Sequence, residues 1–125
     1  MATWQEIGID NFQAGRELLD GKRYRSSVSR FYYAAFSILT HELTLAGVKF
    51  GDDQETPSHK ILPKLIRLHL PLSVRQKADT ISVVRRLYAT RISADYQRRT
   101  TDELIARGIL RDTAKLFRDF GVNYD

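Results

Sequence analysis

The sequence predicts an all-α protein. The expected architecture is an antiparallel up-and-down helical bundle of four main helices plus a short one, forming a single domain over residues 1–125. Three observations predict it. Only three prolines interrupt the chain. No long run alternates strictly between apolar and polar residues, as a half-buried strand would. Cap signals and helix-spaced apolar residues instead divide the chain into segments.

The first helix is expected from about Thr3 to Asp20. Thr3-Trp-Gln-Glu6 fits a capping box, and Asp10-Asn-Phe-Gln13 offers a competing later start. From the early start, Trp4, Gly8, Phe12, Gly15 and Leu19 share one face. Each interior glycine costs ~1 kcal/mol relative to alanine, a cost that close approach of another helix would offset. Gly21 is a natural stop.

The second helix, from about Arg23 to Ala46, carries two apolar stripes. Val28, Tyr32, Ala35, Leu39 and Leu43 form one; Phe31, Ala34, Ile38 and Leu45 form the other. Two apolar faces place it at the centre of a bundle. Its remaining face holds Arg30, Tyr33, Ser37, Thr40, His41 and Thr44, polar but uncharged in the middle. Two readings of that strip stay open: a partner interface or cleft wall, and ordinary exposure. In Tyr32-Tyr33 one ring is expected in the core and the other towards a cleft. Gly47 ends the helix.

After the acidic linker Phe50-Gly-Asp-Asp-Gln-Glu-Thr-Pro57, a short third helix lies between Ser58 and Leu70. Pro63 fits only a first turn, so the regular part starts near Leu62, and Pro71 ends it. Ser73 caps a fourth helix running to about Ala94 or Tyr96, with the stripe Val74, Ala78, Ile81, Val84 and Tyr88. Thr100-Thr-Asp-Glu103 fits another capping box. It opens a fifth helix that buries Ile105, Ile109, Leu116, Phe117 and Phe120 and stops at Gly121.

Composition narrows the chemistry. Lys and Arg total 20 against 15 acids, a net charge of +5. Arginine dominates, and its planar fork suits phosphate. With no cysteine there is no disulfide, thiol nucleophile or Cys-type zinc site. His41, His59 and His69 are too widely spaced for a metal motif, so no metal and no cofactor is expected. There is no Gly-rich phosphate loop or nucleophile elbow. MATWQEIGID is no signal peptide, and no stretch approaches the ~18 apolar residues of a membrane span. A soluble, cytoplasmic protein is the expectation.

The segment RRLYATRISADYQRRTTDE, Arg85 to Glu103, concentrates the arginines. At helical spacing, Ile81, Val84 and Tyr88 are followed on the same face by Arg91 and Asp95. Arg91 therefore extends a buried stripe, and Asp95 is its partner. A lone guanidinium there would be costly, whereas a paired one is tolerated. Arg85, Arg86, Arg98 and Arg99 fall off that stripe or in the loop after it. They are candidates for phosphate contacts, with a solvated rim as the alternative.

Four pieces of the chain together resemble the HEPN domain family of prokaryotic defence and toxin–antitoxin systems. They are Gly21-Lys-Arg-Tyr24, Ser27-Val-Ser-Arg-Phe-Tyr-Tyr-Ala-Ala-Phe36, Ser58-His59-Lys60 and Leu87-Tyr-Ala-Thr-Arg-Ile-Ser-Ala-Asp-Tyr96. The resemblance implies a helical bundle that often forms a homodimer with a cleft between subunits. Many members are metal-independent ribonucleases whose motif is an Arg followed, after a short gap, by a His. Many are encoded beside a small nucleotidyltransferase that acts as antitoxin, and in some pairs a tyrosine near the motif receives adenylate. Here the chain departs from the family. No histidine follows Arg91, and Tyr96 stands after a four-residue gap in the place of the missing one. A phenol with pKa ~10 is a reluctant base where an imidazole titrates near neutrality.

Three readings of Arg91 therefore stand: a structural Arg-Asp-Tyr clamp, a phosphate or nucleotide contact, and catalysis with Tyr96. Arg30, Tyr33, His59, Tyr88 and Asp95 are assigned structural or cleft roles, with a local turn contact preferred for His59 over a ligand role. The expected function is a non-catalytic RNA- or nucleotide-binding or interaction component of a toxin–antitoxin or defence module. Its partners would be a second copy, a nucleotidyltransferase or RNA. The alternative is a ribonuclease toxin with an atypical site, Arg91 and Tyr96 helped by a histidine from elsewhere.

Overall fold

The computed structural model describes residues 1–97 and 101–125. It contains α1 (Trp4–Asp20), α2 (Tyr24–Leu45), α3 (Leu62–His69), α4 (Val74–Tyr96) and α5 (Glu103–Asp119). The result is the expected helical bundle, with no strand among the described residues. α2 packs against all four other helices. Its residues Val28, Phe31, Ala34, Ala35, Ile38, Leu39 and Leu43 are all buried, so both of its apolar stripes are used. The second stripe ends at Ile38, however. Leu45, in the last turn, is exposed, while Leu43 of the other stripe in the same turn is fully buried.

The pairing of α1 with α2 rests on two bare backbone positions. A Cβ at Gly8 would lie 2.8 Å from Ile38 Cδ1, and one at Gly15 would lie 2.7 Å from Phe31 Cε1. The glycines thus admit side chains of α2 onto the backbone of α1. Phe12, between them, joins Phe31 at 5.4 Å and Phe117 of α5 at 5.1 Å between ring centroids. Thr3 caps α1 by accepting from the Glu6 amide, so the early start is the real one.

Three helices end in the same way. After α1, α2 and α5 the chain enters the left-handed region at Lys22, Gly47 and Gly121. In each case the next amide reaches back five residues: Arg23 to Leu18, Val48 to Leu43 and Val122 to Phe117. The expected stop at Gly21 is displaced by one residue. Gly21 keeps φ −79° as the C-cap, and Lys22 takes φ 63°.

Several expected burials are corrected. On α4, Val74 and Ala78 are exposed, and the buried set is Thr80, Ile81, Val83, Val84, Leu87 and Ala94. α4 packs against α2, α3 and α5, and that packing leaves Val74 and Ala78, near its start, exposed. On α2, Ser37 and Thr40 are buried, each donating to the carbonyl four residues back, Tyr33 and Phe36. That back-bonding removes the polar cost and ends the reading of the whole strip as one open face. On α5, Asp102 is the cap, accepting from the Ile105 amide, and Thr100 lies outside the described residues. Ile105 is exposed and Phe120 half-buried; Ala106, Thr113 and Ala114 take the inward places beside Ile109, Leu116 and Phe117.

Gly15→Ala is expected to destabilise the protein by about 1–3 kcal/mol in a urea melt, despite alanine's better helix propensity, because the buried Phe31 ring cannot retreat. An unchanged or raised midpoint would show that the α1–α2 contact is not limiting.

Candidate functional site

The bundle brings the middle of α2, the linker before α3 and the last turns of α4 to one place. On α2, Ser26, Ser29, Arg30 and Tyr33 follow the spacing of a single helix face. That face meets α4 at Arg91 and Asp95. The Nε of Arg91 lies 3.2 Å from Asp95 Oδ2, as the sequence implied. The N–H does not point at that oxygen, so the contact is an ion pair without an aligned hydrogen bond. Asp95 Oδ1 also accepts from Ser29 Oγ at 2.6 Å, tying α4 to α2. The side chains of Arg91 and Asp95 are 17% and 28% exposed, so water still reaches both.

Aromatic rings enclose the guanidinium. Its carbon sits 5.3 Å from the Tyr32 ring centroid and 5.0 Å from that of Tyr33. The two rings meet edge-on at 5.3 Å. A partly desolvated cation over two phenol faces gains more than an exposed one. Tyr32 is buried and Tyr33 is exposed, the division expected of the pair.

His59 arrives from the linker. It stacks on Tyr88 with ring centroids 3.4 Å apart and planes 14° from parallel. Its Nδ1 is 3.2 Å from the Tyr32 hydroxyl. Ser58 and His59 both make local turn contacts, the Ser58 hydroxyl accepting from the Ile61 amide and the His59 carbonyl from the Leu62 amide, while the His59 side chain also reaches residues of α2 and α4. Burial lowers the His59 pKa, and the Arg91 charge lowers it further. Burial also pushes Tyr32 up to about 12, against the opposing pull of Arg91. The phenol thus keeps its proton and can donate it to Nδ1, leaving the imidazole neutral with its proton on Nε2.

Beyond Asp95 lies a basic pocket of about 400 Å³. Arg23, Arg25 and Arg30 line it together with Ser26, Ser29 and Asp95. Arg25 donates to the Ala94 and Gln97 carbonyls, closing the end of α4 onto α2. Arg30 donates to Asn11 Oδ1 at 3.1 Å. Ser29 and Asp95 belong to both halves, so Arg91 stands where an aromatic cluster meets a cationic pocket.

The remaining candidates fall elsewhere. Tyr96 is 72% exposed and stands about 140° round α4 from Arg91. Arg85 and Arg86 lie about 120° and 140° round the same helix and face a groove beside α3. Arg86 is paired with Asp112 at 3.1 Å. Arg98 and Arg99 lie outside the described residues. Among the described residues no group of three or more His, Cys, Asp or Glu is placed to hold a metal, and no helix is long and apolar enough to cross a membrane. Sequence reasoning missed Ser29, Arg23 and Arg25. The signal for Ser29 was the spacing Ser26-Ser29-Tyr33, visible in the chain but without a partner until α4 is placed beside it.

The comparison with protein families finds the HEPN domain model matching residues 1–122. The chain belongs to the HEPN family. Comparison with curated proteins and with solved structures finds no match. Within this HEPN fold, the segment carrying Arg91, Asp95 and Tyr96 is thus assembled against α2, with His59 supplied from outside the segment.

Two outcomes follow for this HEPN site. Asp95→Ala should cost more than the ~0–1 kcal/mol of an exposed pair, because it frees Arg91 and Ser29 together. A urea melt measures it; a negligible change would mean that neither the pair within α4 nor the Ser29 contact between α2 and α4 contributes to stability. His59 has a depressed folded pKa, so below about pH 6.5 the unfolded chain binds the proton more readily. Its stabilising contribution is present above that pH and is lost as pH falls towards the folded pKa. A His59→Gln variant should lose stability less steeply over that window.

Proposed function

We propose that this HEPN protein binds single-stranded RNA or a nucleotide without cutting it. It would act as a homodimeric component of a toxin–antitoxin or defence module, with a nucleotidyltransferase as partner. The observation that carries the binding reading is the position of Arg91 at the junction of an aromatic and a cationic surface. Exposed Tyr33 offers a face on which a base can stack, and such stacking is sequence-tolerant. Arg23 and Arg30 offer donors for the adjoining phosphate, and the Ser26 hydroxyl is beside them. The family supports the setting, since HEPN proteins occur in toxin–antitoxin and defence systems.

Catalysis is less well supported at this site. Cleavage at a ribose needs a group that trades protons near neutral pH. Tyr96 stands apart, and the Tyr32 phenol holds its proton up to about pH 12. One observation favours the ribonuclease reading: His59 is a neutral imidazole packed into the Arg91 cluster, from a part of the chain where the family motif does not place one. In that reading His59 is the base and Arg91 steadies the phosphate.

One pair of experiments separates the two. In fluorescence anisotropy with a labelled single-stranded oligoribonucleotide, Tyr33→Ala should weaken binding about tenfold, within the ~1–3 kcal/mol of a stacked base. Arg23→Ala should weaken it and flatten the salt dependence by roughly one phosphate contact. The wild-type protein, incubated with the same RNA in chelator, should leave it intact. Cleavage abolished by both Arg91→Ala and His59→Ala would overturn the binding reading and establish the other.

A further inference from the structure

The start of the α4 stripe, which the bundle leaves open, forms the floor of a groove. Val74, Ala78 and Ile81 follow one another along one face of the helix, and Val74 is 87% exposed. The groove has a volume of about 590 Å³ and lies between α4 and the end of α3. Arg67 of α3 and Lys77, Arg85 and Arg86 of α4 form its rim, and no carboxylate lines it. Arg86 is partly neutralised by Asp112. Among the described residues Arg67, Lys77 and Arg85 have no carboxylate within ion-pair distance. From Val74 to Arg85 the helix runs about 17 Å, or three turns.

An RNA-binding surface would place stacking rings among those cations, as the Arg91 site does with Tyr32 and Tyr33. This groove has none. Its floor is aliphatic and its rim positive, the complement of a helix with aliphatic residues at i, i+4 and i+7 flanked by carboxylates. We propose that the groove between α3 and α4 docks an acidic amphipathic helix of a partner protein. Val74 and Ala78, with the edge of the buried Ile81 between them and the core, receive the aliphatic side chains, and Arg67, Lys77 and Arg85 pair with the carboxylates. The surface shares no residue with the Arg91 site, so the inference does not depend on what that site binds.

The probe is a synthetic helical peptide of about sixteen residues, longer than the groove by a turn or so. Leucines stand at i, i+4 and i+7, and glutamates flank them. In anisotropy, and in amide chemical-shift titration of the full chain, it should bind and perturb Val74, Ala78 and Arg85. V74D should weaken it at least tenfold while leaving the urea midpoint in place, since an acid in the first turn of α4 suits the helix. R67E with R85E should weaken it similarly. V74D should still bind the oligoribonucleotide as wild type does, which separates this groove from the Arg91 site. The proposal is overturned by absent peptide binding, by equal binding to V74D or by equal binding of a version with lysines for glutamates. It is also overturned if RNA displaces the peptide, or if concentration-dependent self-association is abolished by V74D; the occupant would then be RNA or a second copy.

Discussion

Phe31 and Ile38 rest on bare backbone of α1 at Gly15 and Gly8, and the rest of the bundle is arranged around that contact. It fixes both the separation and the rotation of α2 against α1. Once that rotation is set, the face of α2 bearing Ser26, Ser29, Arg30 and Tyr33 has a defined direction, and it meets the end of α4. The site is therefore a consequence of helix packing. A bulkier residue at either glycine would push α2 away and loosen contacts on its far side.

The electrostatics of the site follow from partial burial. Arg91 is held by Asp95 and by two phenol faces. Asp95 divides its two oxygens between Arg91 and Ser29. The positive charge of Arg91 and the burial of His59 act in the same direction on the imidazole, favouring its neutral form. Burial and Arg91 act in opposite directions on Tyr32, and burial wins. A neutral imidazole beside a protonated phenol is consistent with a rigid stacked wall, and it is also the resting state of a base.

The two basic faces of α4 differ in what surrounds the charge. Near Arg91 the neighbours are aromatic rings, hydroxyls and one carboxylate. Beside α3, Arg85 shares a groove with the aliphatic Val74, Ala78 and Ile81 and the cations Arg67, Lys77 and Arg86, with no aromatic ring or carboxylate in its lining. The first environment suits stacked bases with phosphates, and the second an apolar helix with acidic flanks. One arginine-rich helix thus presents two surfaces of different chemistry, about a third of a turn apart.

The sequence by itself determined the helices, several of their caps and most of the core. Thr3, Ser73, Gly47 and Gly121 act within a few residues of where they stand, and the two stripes of α2 are a local periodicity. It also determined the Arg91–Asp95 pair, because residues four apart on a helix meet whatever the rest of the fold does. Long-range decisions were out of its reach. Whether Val74 or Leu87 faces inward depends on which side of α4 the other helices pack against. His59 joins Tyr32 and Tyr88 across sequence gaps of roughly thirty residues, and Ser29 meets Asp95 across more than sixty. No spacing rule spans such gaps; only the folded bundle, by bringing α2, the linker and α4 together, made those residues neighbours.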